Sequence, residues 1–311
     1  MTPRIAVLVP CYNEEAAIGV VVRDFRRVLP DAIIYVYDNN SSDRTCERAR
    51  EAGAVVRQET RQGKGNVVRR MFADIDADIY VLVDGDDTYE AEAAPRLIRH
   101  AIETGTDLVT ARRVHTQAGA YRPGHVLGNR MLTGLTALLL HVKLSDMLSG
   151  YRVFSRRFVK SFPFTAQGFG IETELTVHAV RLMMPMGELD TRYKERPVGS
   201  VSKLNTWRDG FRILRTIVHL MREERPLMFF SAGFAVLASA SLLTGAPVVT
   251  EYLETGLVPR LPTAVLATAL MLLAFLALMA GLILDTVTRG RWEQKRMAYL
   301  AIPGPQDLTP P

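Results

Sequence analysis

The chain has 311 residues, 48% of them hydrophobic, with a formal charge of +5 and a mean hydropathy of +0.07. Those averages would suit a soluble enzyme, yet Leu227–Thr250 and Leu261–Leu284 are each 24 residues without one ionisable side chain. At a helical rise of 1.5 Å each run is about 36 Å long, enough to cross a hydrocarbon core of roughly 30 Å with some tilt, so a purely soluble, disordered or fibrous chain is excluded.

The first 110 residues alternate strand and helix. Short apolar runs rich in Val, Ile and Tyr predict strands at Ile5–Val9, Ile33–Tyr37, Ala54–Arg57, Ile79–Val83 and Leu108–Thr110. Helical patterns lie between them at Glu14–Leu29, Asp43–Ala52, Lys64–Ala73 and Ala91–Thr104. This spacing predicts an α/β fold with a doubly wound, mostly parallel sheet, whose ligands sit at the carboxyl ends of the strands. The polar clusters fall there: Cys11-Tyr-Asn-Glu14, Asp38-Asn-Asn-Ser-Ser-Asp43 and Asp84-Gly-Asp-Asp87. No Gly-x-Gly-x-x-Gly follows the first strand, which argues against a dinucleotide fold.

Beyond residue 112 a basic loop (Arg112–Gly128) leads to an apolar helix (Met131–Leu140), then to Asp146-Met-Leu-Ser-Gly-Tyr-Arg152, a short strand and a helix around Ile171–Met184. Trp207, Phe211, Leu214, Val218 and Met221 form an apolar stripe with arginines off it, which predicts an interfacial amphipathic helix over 205–225. The apolar runs then predict a transmembrane hairpin over 226–288, with spans of about 227–250 and 261–286, and a frayed cytoplasmic tail over 289–311.

Basic residues flank the hairpin at Met221–Arg225 and Arg289–Arg296, whereas Glu251–Arg260 between the spans holds two acids and one base. The positive-inside rule therefore puts the N-terminal domain and both termini in the cytoplasm, on a multi-pass plasma or inner membrane protein. The whole excess of +5 resides in residues 1–225, suiting a lipid surface or phosphorylated substrates. These bases are scattered and no nucleic-acid-binding signature occurs, so no nucleic-acid partner is expected. Cys11 and Cys46 read as inert thiols, and His125, His141 and His178 share no metal-ligand spacing.

Asp84-Gly85-Asp86 is the sharpest chemical signal. After a buried strand, Gly85 lets the backbone turn so that two carboxylates approach one hard cation, Mg²⁺ or Mn²⁺, which keeps positions for substrate phosphates. Tyr12, Asn13, Glu14 and Asp38 end neighbouring strands, where they can stack on a base and accept its donors. For Asn13 and for Ser42 or Asp43 the alternative is helix capping. Gly63-Lys64-Gly65 is a basic, glycine-flanked helix start suited to a pyrophosphate, or simply a turn.

Together these motifs resemble family 2 glycosyltransferases of the GT-A fold, closest to the dolichol-phosphate mannose synthase and polyprenyl-phosphate glycosyltransferase branch. The residues carrying the resemblance run from Val9-Pro-Cys-Tyr-Asn-Glu14 through Asp146–Arg152 to Gly199-Ser-Val-Ser-Lys203. It implies a catalytic domain over 1–204 in which Pro10, Tyr12, Asn13, Glu14, Asp38 and Lys64, with Asp84 and Gly85, hold a nucleotide-sugar. It further implies a metal on Asp84 and Asp86, with Thr88 where many relatives place a metal-binding Gln, and Asp87 as an extra carboxylate. Arg112 and Arg130 match positions that bind the acceptor lipid phosphate, and Arg196 and Lys203 match a basic pair over the phosphates. Asp86, Arg130, Lys203 and Asp146 are the implied catalytic set, Asp146 either orienting a substrate or capping the Ser149-Gly150 turn.

The implied reaction is inverting, metal-dependent transfer of one sugar from a nucleotide-sugar to undecaprenyl or dolichyl phosphate in the membrane. A UDP-hexose or UDP-N-acetylhexosamine is favoured over GDP-mannose, because Asp-Gly-Asp resembles the glucose-type branch. A homo-oligomer is compatible with all of this. The alternatives are a processive polysaccharide synthase, whose Gln-x-x-Arg-Trp is lacking here, and a silent membrane-tethered sugar-nucleotide binder.

Overall fold

A computed structural model describes residues 3–115, 146–163, 170–194, 218, 221–223 and 225–308. The expected helix at Met131–Leu140, Arg130, Arg196, Lys203, His125, His141 and most of the expected interfacial helix lie outside these residues. The chain divides into two compact units, one of residues up to 210 together with 295 onward, the other of 211–294.

In the first unit, β1 (Ile5–Cys11), β2 (Ile33–Asp38), β3 (Val55–Gln58) and β4 (Ile79–Leu82) alternate with α1 (Ile18–Val28), α2 (Thr45–Glu51) and α3 (Lys64–Asp74). There follow α4 (Ala94–Thr104), β5 (Leu108–His115), β6 (Arg152–Ser155), α5 (Arg156–Ser161), α6 (Ile171–Arg181) and β7 (Met186–Tyr193). The seven strands form one sheet in the order β3-β2-β1-β4-β6-β5-β7. Strand β6 alone runs antiparallel, against both β4 and β5. The expected mostly parallel α/β sheet is therefore present, and its polar edge collects the ends of β1, β2, β4, β5 and β7 with the start of β6.

Strands β1 and β4 are almost wholly buried because helices cover both faces, which is why their sequences are continuous apolar runs rather than alternating ones. Val7, Val9, Val81, Val109 and Val153 pack with Val22 and Phe25 of α1 and Leu97 of α4 into one core. On the opposite face Phe72 meets Phe154 and Phe162 edge-on, Phe154 and Phe158 are tilted, and Phe158 and Phe162 are stacked. His178 lies edge-on to Phe158 and Phe162, and burial pushes its imidazole down to about 3, so it is a neutral structural residue.

Two local expectations are corrected. Helix α1 begins at Ile18 rather than Glu14, after a turn in which the Glu14 carbonyl accepts from the Ala17 (3.1 Å) and Ile18 (3.0 Å) N–H groups. The Glu14 N–H donates to Thr45 Oγ1 (2.9 Å) and the Glu15 N–H to Asp43 Oδ2 (3.2 Å), tying this loop to the one after β2. The second correction concerns the tail, which is docked rather than frayed.

In the second unit, α7 (Pro226–Thr255) and α8 (Leu261–Leu300) are long and apolar enough to cross a membrane. Leu243, Leu253, Val236 and Leu276 are among many large side chains left exposed along them, so these are not buried core helices. Small residues bring the pair together: Ser241 Oγ donates to the Ala267 carbonyl (2.7 Å), and a Cβ on Gly245 would lie 3.3 Å from that of Ala267.

Helix α8 continues past its apolar stretch, and its last turns belong to the first unit. Tyr299, 5% exposed, donates its hydroxyl to Asp107 Oδ2 (2.8 Å). That fully buried carboxylate also accepts from Ser155 Oγ (2.6 Å) and from Arg157 Nε (2.6 Å) and Nη2 (2.8 Å). The Arg157 guanidinium lies over the Tyr299 ring, 4.7 Å from its centroid, and Arg296 donates to the Leu182 carbonyl. Pro305 is buried in the short 3-10 turn Pro305–Leu308 that follows. The dock lies where β5 begins and β6 ends, the edge of the sheet opposite the polar one.

Candidate active site

The polar edge holds a cleft of about 420 Å³ lined by Pro10, Cys11, Tyr12, Glu14, Asn39, Gln62, Gly63, Lys64, Val67, Asp84, Gly85 and Asp86. Sequence-predicted residues from three strand ends and one helix start are thus brought together. Asp38 is buried behind this set; its Oδ2 accepts the Ser41 N–H (3.0 Å), and its Oδ1 has no hydrogen-bond partner among the described residues. An orphaned acceptor of this kind is costly unless a donor arrives, as from a bound base or ribose.

Asn13 does not cap α1. Its φ is +53° and its Oδ1 accepts the Ser42 N–H (2.8 Å), while its own N–H donates to Ser41 Oγ (2.8 Å). Asp43 does support the start of α2, accepting the Thr45 N–H at 3.0 Å. Asn39, carried in the predicted motif without a role of its own, holds the loop before α3. Its amide donates to the Glu59 (2.8 Å) and Arg61 (2.9 Å) carbonyls and its Oδ1 accepts the Gly63 N–H (2.6 Å). Gly63, at φ +125°, can adopt this turn because it has no Cβ.

Lys64, on the first turn of α3, donates to Asp84 Oδ1 (2.5 Å) and Glu172 Oε1 (2.6 Å). Burial works against ionising Glu172, yet the charge and hydrogen bond of Lys64 hold its carboxyl below the ordinary range. Sequence reasoning missed Glu172, since an acid in the first turn of a helix is equally a partner for the helix dipole. The Lys64 ammonium and the Asp84 carboxylate thus form an ion pair inside the cleft. Asp86, 5% exposed, is oriented by Thr88: its Oδ1 accepts from Thr88 Oγ1 (2.6 Å) and from the Thr88 N–H (3.3 Å). Two such carboxylates, with substrate phosphate oxygens, fit a hard divalent cation. Among the described residues no group of three or more His, Cys, Asp or Glu could hold a metal by itself. Asp87 turns away to Lys194 (3.3 Å), whose N–H donates to the Thr88 carbonyl (2.8 Å) and so ties the end of β7 to this loop.

Two glycines permit this packing. A Cβ on Gly150 would lie 2.2 Å from Asp84 Oδ2, and one on Gly85 would lie 2.7 Å from Cys11 Sγ. Burial, reinforced by Glu14, holds the Cys11 thiol well above its ordinary value, so it fills space rather than reacts. Gly85 therefore answers to the size of residue 11. Gly85→Ala is expected to destabilise the protein by about 1–3 kcal/mol through overpacking. The double variant Gly85→Ala with Cys11→Ala should recover most of that loss. Thermal unfolding of the three proteins checks this, and a double variant no more stable than Gly85→Ala would refute the pairing.

Asp146 forms a two-bond pair with Arg113 (Nε to Oδ2 and Nη2 to Oδ1, both 2.7 Å). Burial opposes its ionisation, but Arg113 more than offsets this and holds the carboxyl below the usual range. Arg112, the residue expected to bind phosphate, is exposed and paired with Asp190 (2.5 and 2.8 Å). Adjacent strand residues point to opposite faces, so it is Arg113 that reaches Asp146.

Acidic groups at the carboxyl ends of parallel strands, beside a lysine at a glycine-flanked helix start, agree with the expected GT-A layout, and the match to a family model shows that the chain is a glycosyltransferase. It belongs to glycosyl transferase family 2, which it matches over residues 6–162. It is 34% identical over 237 residues to glycosyltransferase AglJ of Haloferax volcanii, covering 76% of this chain and 78% of that one. It is 30% identical over 221 residues to the dolichyl-phosphate hexose transferase of the same organism, covering 71% and 95% respectively. Among solved structures it resembles glucosyl-3-phosphoglycerate synthase from Mycobacterium tuberculosis in complex with Mn²⁺ and UDP-glucose. There the TM-score is 0.55 and the identity 26%, over 70% of this chain and 78% of that one.

Proposed function

We propose that the protein transfers one sugar from a nucleotide-sugar to a polyprenyl phosphate at the cytoplasmic face of a membrane, with inversion at the anomeric carbon. The observation that carries this reading is the cleft in which Tyr12, Glu14, Lys64, Asp84 and Asp86 converge, in a chain that also has two long apolar helices. The relative named as a dolichyl-phosphate hexose transferase supports the lipid acceptor. The structural relative holding Mn²⁺ and UDP-glucose supports a UDP-sugar and a divalent cation. Gly85 is explained by Cys11, so the Asp-Gly-Asp variant itself no longer favours either nucleotide.

In this reading Tyr12, Glu14 and Asp38 bind the nucleoside, and Asp84 and Asp86 hold Mg²⁺ or Mn²⁺ with Thr88 orienting Asp86. The metal, when bound, neutralises charge on the departing nucleoside diphosphate. Lys64 adds a positive charge from the protein on the same side, exchanging its bond to Asp84 for one to a phosphate oxygen. The acceptor needs no strong general base, because a phosphate monoester with a second pKa of about 6 is already largely dianionic at neutral pH. Asp146, fixed by Arg113, orients the acceptor or sugar. Arg112, Arg130, Arg196 and Lys203 are assigned to the phosphates by resemblance; Arg112 would have to leave Asp190 to serve.

The membrane assignment is a hairpin of α7 and α8, approached by an interfacial helix over 205–225. The docked end of α8 supports this, because residues 3–194 and 295–308 share one unit and an even number of crossings must separate them. The test uses purified full-length protein in detergent with Mn²⁺ or Mg²⁺ and undecaprenyl or dolichyl phosphate. Labelled UDP- and GDP-sugars are offered one at a time and organic-extractable label is counted. Label from a UDP-hexose or UDP-N-acetylhexosamine is expected. Label only from GDP-mannose overturns the donor assignment, and none from any donor overturns the reaction.

A further inference from the structure

Arg152 opens β6 at the polar edge and is fully buried, the largest side chain among the described residues to be so. Its guanidinium donates to the carbonyls of Ser149 (Nε, 3.0 Å) and Met147 (Nη2), and to Thr176 Oγ1 (Nη1, 2.9 Å). None of these acceptors is a carboxylate. Burying a cation is costly even with the charges of Glu172 and Asp146 near enough to favour it, and an apolar side chain can often fill such space at no greater cost. What the planar fork does that an apolar side chain could not is hold three acceptors from two segments at once.

Its three bonds define that end. Two of them gather the turn 147–149, which lies between Asp146, paired with Arg113, and Gly150, packed against Asp84. The third reaches α6 through Thr176, whose Oγ1 passes the contact on to the Glu172 carbonyl (2.9 Å). Glu172 holds Lys64, and Lys64 holds Asp84. Both routes from Arg152 thus end on the same carboxylate, one through Gly150 and the other through Glu172 and Lys64.

We propose that Arg152 is a positioning residue for the transfer reaction. From beneath the cleft it sets the spacing between the Asp146–Gly150 turn and the first turns of α6, and thereby the placement of Asp84 and Lys64. A lysine keeps the charge but cannot bridge three acceptors lying in the plane of a guanidinium. The role in turnover rests on the proposed sugar transfer, and the Mn²⁺ readout rests only on Asp84 and Asp86 holding the metal in that reading.

The test compares full-length wild type with Arg152→Lys in detergent. It measures thermal unfolding, Mn²⁺ affinity from the free-ion resonance, donor KM and kcat. Loss of such supporting groups typically costs 10–100-fold in metal affinity or activity. Arg152→Lys is accordingly expected to raise the Mn²⁺ Kd about tenfold and to lower kcat about 100-fold, with donor KM changed by less than about threefold. A lower Tm with unchanged Mn²⁺ Kd and unchanged kcat per folded molecule would make Arg152 structural only and overturn the proposal. If Arg152→Lys does not fold, Thr176→Val decides, since it removes one acceptor and leaves the guanidinium. A Mn²⁺ Kd raised about fivefold supports the proposal, and an unchanged Kd overturns it. Should wild type bind Mn²⁺ yet transfer no sugar to polyprenyl phosphate, the function reading fails while the Mn²⁺ comparison still judges Arg152.

Discussion

Gly150→Ala is expected to lower kcat by about two orders of magnitude in a protein that still folds, with Mn²⁺ affinity falling alongside. The new Cβ would lie 2.2 Å from Asp84 Oδ2 and 2.7 Å from its Cγ, far inside contact distance. Something must move, and the backbone at 150 is poorly placed to do so. Its N–H donates to Tyr89 Oη (2.9 Å), and Tyr89 is wedged edge-on between Tyr151 and Tyr193 at 5.4 and 5.2 Å. The carboxylate of Asp84 is the softer partner, so it swings away and takes the Lys64 contact with it. A shift of about 1 Å at such a group is worth roughly 100-fold in rate. Circular dichroism, Mn²⁺ titration and kcat at saturating metal check the expectation. A kcat within threefold of wild type would show that Asp84 tolerates the displacement and is not a ligand.

Asp86→Asn should be more severe, reducing transfer about a thousandfold while the protein stays folded and membrane-bound. The substitution preserves shape, and the remaining carbonyl oxygen can still accept from Thr88 Oγ1 and the Thr88 N–H as Asp86 Oδ1 does. The charge and one strong oxygen ligand are removed while the contacts to Thr88 are kept, so the loss of transfer is expected to exceed any loss of stability. Comparison of turnover with and without a chelator, in wild type and variant, isolates the metal contribution. Turnover by Asp86→Asn that remains near wild type in the presence of divalent metal would remove Asp86 from the metal site.

Much of this arrangement is legible before any coordinates. Strands β1, β2 and β4 are apolar runs because both their faces are covered, and Asp84-Gly-Asp86 stands out because charges rarely follow such a run without a purpose. The less legible parts share a physical cause. Strand β7 is an edge strand whose residues Met186-Gly-Glu-Leu-Asp-Thr-Arg-Tyr193 are mostly half-exposed, so neither an apolar run nor a clean alternation marks it. Without β7, the extension of β5 through Ala111–His115 reads as loop, and nothing says which of Arg112 and Arg113 faces Asp146. Glu172, Arg152 and Asn39 act through contacts with residues 20 or more positions away, or by holding carbonyls, and no spacing rule reports either. The docked tail was hidden for a similar reason, since Tyr299 finds its partner 192 positions earlier.

That last contact bears on how the molecule is made. The catalytic unit is discontinuous: its opening two hundred residues leave the ribosome first, and its closing segment from 295 onward is synthesised after both apolar helices. Until Tyr299 arrives, Asp107 and Arg157 meet at an edge that lacks its cover. Completion of the glycosyltransferase fold thus follows synthesis of the helical hairpin, and a chain arrested between the two helices would carry every cleft residue described here on an unfinished scaffold.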